Sequence, residues 1–314
     1  MIFWKYTILY GMIIQTNNTV RDMHIKKLFI SFIILMFFCS AKAEAIKVGL
    51  QTNAKEVRIA SSVSAEIYDL ARNKLLYEIQ PMKIYQIKSK NNQLVIVSSL
   101  LQKDISLGTN QILVRPKTAG FLCQKKAWYR GDFLINNFVT GITLINSLPL
   151  EDYLKGVVPA EMPSRWNTEA LRAQAIAARS YAVATKNAGK HASKGFDLVD
   201  TTADQAYGGA SIEKATTTQA VIDTKGIVLV QDQKVLPTYY HASSGGQTKV
   251  WNSGSSFLQS VPSFDYGTKK NGHGVGMSQN GANNMAAQGY NAYQILNYFY
   301  KDFKFAKLSD NWDI

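Results

Sequence analysis

Leu148-Pro-Leu-Glu-Asp-Tyr-Leu-Lys-Gly-Val-Val-Pro-Ala-Glu161-Met-Pro-Ser-Arg-Trp-Asn167 runs directly into Thr168-Glu-Ala-Leu-Arg-Ala-Gln-Ala-Ile-Ala-Ala-Arg-Ser-Tyr-Ala182. Pro159 and Pro163 bracket a single acid, Glu161. Proline fixes its own φ and biases the preceding residue toward extended backbone, so Val158 and Met162 are expected to be extended and Glu161 to sit on a stiff turn. A stiff turn holds a carboxylate in one place, as a catalytic acid requires; an exposed loop acid has the same local sequence. Upstream, Pro149–Gly156 is expected as a short helix, with Glu151 and Asp152 in its first turn, Lys155 near its end and Gly156 stopping it. Downstream, Asn167 or Thr168 caps a second helix. Ala173, Ala175, Ala177 and Ala178 give it a narrow body, and Leu171, Ala175, Ala178 and Ala182 recur at the spacing of a core-facing stripe. Gln174 and Arg179 are polar on this helix, either solvated or reaching a ligand.

Outward toward the N-terminus, the pattern changes from helical to alternating. Ile46–Leu50, Val57–Ala60, Glu66–Leu70, Lys74–Ile79, Lys83–Lys88 and Gln93–Val97 read as short strands separated by Asn, Lys and Ser clusters. They predict a small antiparallel sheet or barrel up to about residue 125, a scaffold or groove wall with no acid–base cluster of its own. Tyr129–Ile135 and Gly141–Asn146 form a hairpin leading into the opening stretch. Toward the C-terminus, Asp197–Gly209 mixes turn formers, polar groups and Tyr207, a composition shared by sugar sites and irregular loops. Ser211–Asp223 reads as a helix, and Gly226–Val230 and Val235–His241 as a hairpin around Gln231–Lys234. That hairpin runs into His241-Ala-Ser-Ser-Gly-Gly-Gln247, whose glycines admit a close backbone approach. In Asn271-Gly-His273-Gly-Val-Gly-Met-Ser278-Gln279 the alternating glycines do not make a dinucleotide or phosphate loop; they allow close packing, and Ser278 caps a following helix. Asn291–Tyr300 closes the chain as an amphipathic helix with core aromatics. The fold class is α+β: a β-rich N-terminal region over 44–127, then a region over 128–305 combining the Ala-rich helix, antiparallel hairpins and a C-terminal helix, then a tail over 306–314.

The first 43 residues are expected to be removed. Met23-His-Ile-Lys-Lys, the apolar run Leu28–Phe38 and Ala41-Lys-Ala43 have the layout of a secretory signal, with translation starting at Met23 and cleavage after Ala43. The apolar run is too short to span a membrane, so no transmembrane anchor is expected. Cleavage removes five basic residues (Lys5, Arg21, Lys26, Lys27, Lys42) and Asp22, lowering the net charge from +13 to +9. A basic exported chain meets anionic envelope polymers or lipid headgroups more often than DNA, and no nucleic-acid partner is expected. Cys123 alone survives cleavage, which excludes an intramolecular disulfide and a cysteine-rich zinc site, and reads as a buried structural thiol. The mature histidines, His191, His241 and His273, are scattered, with no ligand pair at helical spacing.

Taken together, Ile46–Leu50, Tyr129-Arg-Gly131, the Leu148–Tyr181 block, Asp200–Gly209, His241–Gly246 and Gly272–Gln279 resemble the SpoIID/LytB family, in the same order along the chain. The resemblance implies a peptidoglycan lytic transglycosylase acting outside the cytoplasm on glycan strands that lack stem peptides. It implies that Glu161 is the catalytic acid and base. Gln174, Arg179, Tyr207, His241, Ser243, His273 and Gln279 are the candidates to line the substrate groove. Such an acid must hold its proton near neutral pH, so burial should raise its pKa, with Trp166 and Met162 as the apolar wall and the helix N-terminus pushing the other way.

Two departures from the family pattern matter. Some relatives carry Cys three residues after the site histidine and bind zinc; here the positions are Ser244 and Gln247, so no metal and no cofactor are expected. Only Val261–Lys270 separates the Val-Pro-Ser segment from the Gly-His-Gly motif, where relatives have a longer insertion, which opens the groove, changes the length of substrate preferred or removes activity. A different function class fits the same residues: a wall-binding protein without activity of its own that stimulates an amidase or other hydrolase.

Overall fold

The structure, a computed structural model, describes residues 45–97, 104–251 and 255–309. The expected leader, with Met23 and Ala43, lies outside the described residues. Twelve strands precede the first described helix: β1 (Ala45–Ala54), β2 (Glu56–Ser61), β3 (Ala65–Asp69), β4 (Lys74–Ile79), β5 (Tyr85–Lys90), β6 (Gln93–Val97), β7 (Ile105–Ser106), β8 (Gln111–Pro116), β9 (Leu122–Gln124), β10 (Ala127–Tyr129), β11 (Asp132–Phe138) and β12 (Gly141–Pro149). Helices α1 (Leu150–Glu161) and α2 (Thr168–Asn187) follow, then β13 (Leu198–Val199) and α3 (Ala215–Asp223). The chain ends with β14 (Ile227–Gln231), β15 (Lys234–Val235), β16 (Tyr240–His241), β17 (Met277–Ser278), α4 (Gln279–Ala287), α5 (Ala292–Phe299) and β18 (Lys304–Lys307). The fold is α+β.

A seven-stranded sheet has the order β13–β1–β12–β11–β8–β3–β4, and a six-stranded sheet the order β10–β9–β2–β5–β6–β7. The first sheet joins strands from both sides of residue 127, with Ile46 opposite Leu148 and Leu134 opposite Leu113. The expected division at 127/128 therefore does not separate two sheets. Alternation along β1 identifies a strand but carries no information about a partner so far along the chain. In β11, Phe133 and Ile135 face the main core, while Leu134 and Ile145 of β12 pack with Leu113 and Phe196 in a second cluster on the opposite face. Coverage on both faces explains the near-continuous apolar runs of these strands.

Helix α2 is the centre of the molecule and packs against α1, α3, α4, α5 and β14. The expected stripe of Leu171, Ala175, Ala178 and Ala182 is buried, but so are Ala173, Ile176 and Ala177 on other faces. A helix surrounded by elements needs small side chains all round, which the alanine run supplies. Asn167 caps it by accepting from the Glu169 N–H at 3.0 Å.

The opening stretch folds differently from the expected turn. Helix α1 does not stop at Gly156 but continues through Pro159 and ends on Glu161. Val158 is helical, whereas Met162, before Pro163, is extended as expected (φ −127°, ψ 140°). Gly156 serves close packing instead: a Cβ there would lie 2.6 Å from the Tyr207 ring and 2.9 Å from the Gly209 carbonyl. Pro159 lies in the last turn, so the helix beyond its missing N–H is short.

Three further expectations are corrected. The segment before α3 is a separate short 3-10 turn over Gly209–Ile212, because Lys214 is extended. Lys304–Lys307 pairs with Ile227–Val230, so residues 306 and 307 belong to a sheet rather than to a tail. Cys123 is half-buried in β9, between β10 and β2, with burial raising its thiol pKa.

Candidate functional site

Glu161 opens onto a cavity of about 540 Å³, bounded also by Tyr181, Asp204, Tyr240, His241, His273 and Gln279. Several segments meet there. The end of α1 delivers Glu161, and the loop after β13 delivers Asp204 and the backbone of Ala206. Strand β16 delivers Tyr240 and His241. The Gly-rich segment delivers His273, and the first turn of α4 delivers Gln279. Strands β16 and β17 pair in parallel, Tyr240 with Met277 and His241 with Ser278. That pairing needs Gly276 (φ +71°), since a Cβ there would lie 2.0 Å from the Tyr239 carbonyl oxygen. Gly272 (φ +97°) similarly lets the chain pass beside His241. Ser278 caps α4 by accepting from the Gly281 N–H at 3.1 Å, fixing Gln279 as the helix's first residue.

The Glu161 carboxylate is held at both oxygens. The Ala206 N–H donates to Oε1 at 2.8 Å, and Gln279 Nε2 donates to Oε2 at 3.3 Å. Burial raises its pKa, and the hydrogen bonds from Ala206, Gln279 and Tyr240 oppose that without cancelling it. As the last residue of α1, Glu161 sits at the negative end of a helix, which disfavours its charged form. This reverses the expectation that a nearby helix N-terminus would pull the pKa down. Met162 and Trp166 do not bound the cavity; its aromatic wall is Tyr181, Tyr239 and Tyr240. The Tyr240 hydroxyl accepts from Gln205 Nε2 at 2.8 Å, which leaves its proton for Glu161.

His241 is buried, with Nδ1 3.1 Å from the Val275 carbonyl oxygen. That contact requires a proton on Nδ1, so Nε2 is a bare acceptor, and it has no partner among the described residues. Burial depresses the His241 pKa to about 4, so the ring is neutral at pH 7. His273 is exposed at the rim and accepts from the Val275 N–H through Nδ1 at 3.0 Å. The other cavity acid, Asp204, has a fully buried carboxylate that takes Lys190 Nζ at 2.5 Å, His191 Nε2 at 2.8 Å and the Val199 N–H at 2.8 Å. Burial pushes its pKa up, but these bonds, that of Lys190 foremost, hold it below the usual value. It is an ionised anchor for the loop that carries Ala206. Among the described residues no group of three or more His, Cys, Asp or Glu side chains is placed to hold a metal ion.

Four of the candidate groove residues lie elsewhere. Arg179 is fully buried, and all five of its N–H donors are used: two on Glu151, and one each on the carbonyls of Ala175, Ile227 and Val221. None remains for a ligand, so Arg179 ties α1 to α2. Tyr207 is buried and donates to Asn146 Oδ1 at 2.8 Å, with its ring against Tyr153 and Gly156. Ser243 bonds Asp265 Oδ2 at 3.1 Å and Thr268 at 2.5 Å, away from the cavity. Gln174 lies one layer behind the site, its Oε1 3.5 Å from Gln279 Nε2 and its own Nε2 without a partner among the described residues.

Sequence reasoning missed Asp265. It is buried in the short Val261–Lys270 segment and accepts from the hydroxyls of Ser243, Ser244 and Ser278 and from the N–H groups of Ser244 and Gly246. Burial raises its pKa, and this set of donors outweighs burial and holds it far below the usual carboxylate range. The short segment thus ties the loop after His241 to the cap of α4. Tyr240 was missed because nothing local distinguishes its tyrosine from its neighbour Tyr239.

Residues 139–231 match the family described as Stage II sporulation protein, SpoIID. The chain is 32% identical over 182 residues to an uncharacterized protein of Brachyspira hyodysenteriae, covering 54% of this chain and 48% of that one. It is 44% identical over 109 residues to the amidase enhancer of Bacillus subtilis, covering 33% of this chain and 14% of that one. Over 136 residues it is 34% identical to stage II sporulation protein D of Bacillus subtilis, covering 38% and 40%. The chain spans less than half the length of each of these relatives.

Proposed function

The chain belongs to the SpoIID/LytB family, and from that premise we propose that it is a peptidoglycan lytic transglycosylase in which Glu161 is both acid and base. The observation that carries this reading is the Glu161 carboxyl itself: raised in pKa, oriented at both oxygens and open to a cavity. Protonated, it donates to the glycosidic oxygen between N-acetylmuramic acid and N-acetylglucosamine. The C1–O bond breaks and the N-acetylglucosamine end leaves as an alcohol. The resulting carboxylate takes the proton of the muramic acid 6-hydroxyl as that oxygen bonds to C1, giving a 1,6-anhydro product and restoring the acid. Paired-carboxylate hydrolases need a second free acid. The other acid bounding this cavity, Asp204, is ionised and engaged by Lys190 and His191, which favours a mechanism with one working carboxyl.

Digestion of stem-peptide-free glycan strands, read by mass spectrometry, tests the proposal. Anhydro-muramic ends are expected from the parent, with a loss of at least a thousandfold in Glu161→Gln, since general acid and base catalysis together contribute on that order or more. Equal product from both proteins would reject Glu161 as the working group. Export belongs to the same reading: residues 1–43 act as a leader, and N-terminal sequencing of the mature protein should begin at Glu44. A mature form that retains Met23 would contradict it.

The likeness to the amidase enhancer supports a second reading, in which the chain binds the wall and stimulates an amidase. Sacculus binding and amidase stimulation that both survive Glu161→Gln, with no sugar released by the parent, would favour it.

A further inference from the structure

The cavity wall continues outward as an aromatic stack. Tyr239, which bounds the cavity, carries Trp251 on one face, with ring centroids 4.7 Å apart and planes at 17°. Tyr239 is itself fixed. Its ring meets Tyr181 and His273 edge-on at 5.7 and 6.1 Å, and its carbonyl accepts from the Tyr300 hydroxyl at 2.8 Å and the Met277 N–H at 3.1 Å. Trp251 follows a pinned backbone: the Lys249 N–H donates to the Gly274 carbonyl at 2.7 Å and the Thr248 N–H to that of Val261 at 3.0 Å. Despite this anchoring, Trp251 remains 47% exposed. A planar ring with one face covered and the other bare retains about half its surface. An indole stacked on one face and open on the other offers a flat apolar surface with a polar N–H at its edge, the kind of side chain enriched at binding surfaces.

We propose that the open face of Trp251 is a saccharide subsite, stacking an N-acetylhexosamine ring of a glycan strand that leaves the Glu161 cavity. The proposal rests on the glycan-cleaving reading above and adds where the strand runs. A pyranose presents a flat face of C–H groups, and an indole is the matching apolar surface. The cavity, at about 540 Å³, falls in the range that encloses one compact ligand, so a polymer must cross its rim. Tyr239 both bounds the cavity and stacks on Trp251, so a path over Tyr239 keeps the strand in continuous contact.

The test uses the Glu161→Gln protein, which binds without cleaving, and chitin oligosaccharides of two, four and six units titrated by calorimetry. Affinity is expected to rise with length in this parent. Adding Trp251→Ala should cost about tenfold for the hexamer and less than twofold for the dimer, with Trp251→Phe between. An unchanged dimer affinity shows that the variant is folded. Equal hexamer affinity with and without Trp251 would overturn the subsite while leaving the catalytic reading intact. Equal losses for dimer and hexamer would also overturn it, placing the ring's effect inside the cavity. A Trp251→Ala protein that fails to stimulate an amidase yet binds the hexamer normally would assign the ring to a protein partner instead. No binding of any oligosaccharide by the parent would remove both this proposal and the glycan-cleaving one.

Discussion

Burial lifts the Glu161 carboxyl above its ordinary range, while Ala206, Gln279 and Tyr240 pull it down by bonding to the charged form. Removing a side-chain donor must therefore raise the pKa further. Tyr240→Phe or Gln279→Ala should move the alkaline limb of the proposed glycan cleavage to higher pH, because the acid stays protonated longer; a pH–rate profile that shifts down would refute this. A carboxyl whose folded pKa exceeds its unfolded value binds its proton more tightly when folded. Its contribution to stability is complete below the unfolded value and declines as pH rises through the folded one. Glu161→Gln should consequently raise the urea midpoint at pH 7 and leave it unchanged near pH 4. Arg179 illustrates the opposite case. Its role was not legible, because a polar side chain on a helix does not announce whether a counter-ion waits in the core. Glu151 meets it from α1, at 2.7 Å. Arg179→Met strands part of that acid and should cost about 3–5 kcal/mol in denaturant unfolding. A loss of activity at unchanged stability would return Arg179 to the list of substrate contacts.

Helix α1 shows how a single glycine reads two ways. Gly156 has the sequence signature of a stop, and the Ala-rich block after it has that of a helix start, so Glu161 looked like a turn residue. The deciding contact, Tyr207 against the Gly156 backbone, joins residues that local patterns cannot connect. Gly156→Ala would normally stabilise a helix by about 1 kcal/mol. Here the new methyl meets Tyr207 and the Gly209 carbonyl, and overpacking of about 1–3 kcal/mol should win, seen as a lower unfolding midpoint. The β16–β17 layer makes a further prediction. The His241 pKa is depressed to about 4, so the unfolded chain takes up this proton first as pH falls. Stability from His241 is full above its unfolded value near 6.5 and is lost as pH drops from there to about 4, by roughly 3 kcal/mol if the shift is fully expressed. Asp265, held low by its donors, keeps its contribution above its unfolded value near 3.8 and loses it at lower pH. Unfolding measured against pH should therefore flatten between 6.5 and 4 in His241→Gln and only below about 4 in Asp265→Asn.

At the scale of the whole molecule, strand existence and the α+β class were legible because periodicity is local, whereas strand order was not. The candidate site was legible where one segment supplies it, as at Glu161, His241 and Gln279. It was illegible where a buried partner from elsewhere uses up a side chain, as at Ser243 and Tyr207. Charge is also a property of this scale: on the proposed export reading, the net charge of +9 over residues 44–314 predicts sacculus binding that weakens as salt rises toward the range where surface charges are screened. The division at 127/128 yields the sharpest test. Strands β11 and β12 belong by sequence to the second region, yet β12 lies between β11 and β1, and β11 takes β8 as its other neighbour. A fragment starting at residue 128 leaves β11 and β12 as a bare hairpin, with Phe133, Ile135 and Leu144 deprived of Ile46, Val48 and Val114 in the core they share. A lone two-stranded hairpin is marginal in water, and two unpaired edges invite aggregation. The fragment should therefore lack a cooperative unfolding transition, while the chain from residue 44 unfolds in one step. Two separable transitions in the longer chain, or a cooperatively folded fragment, would show that the sheet is not the shared element that holds Glu161 in place.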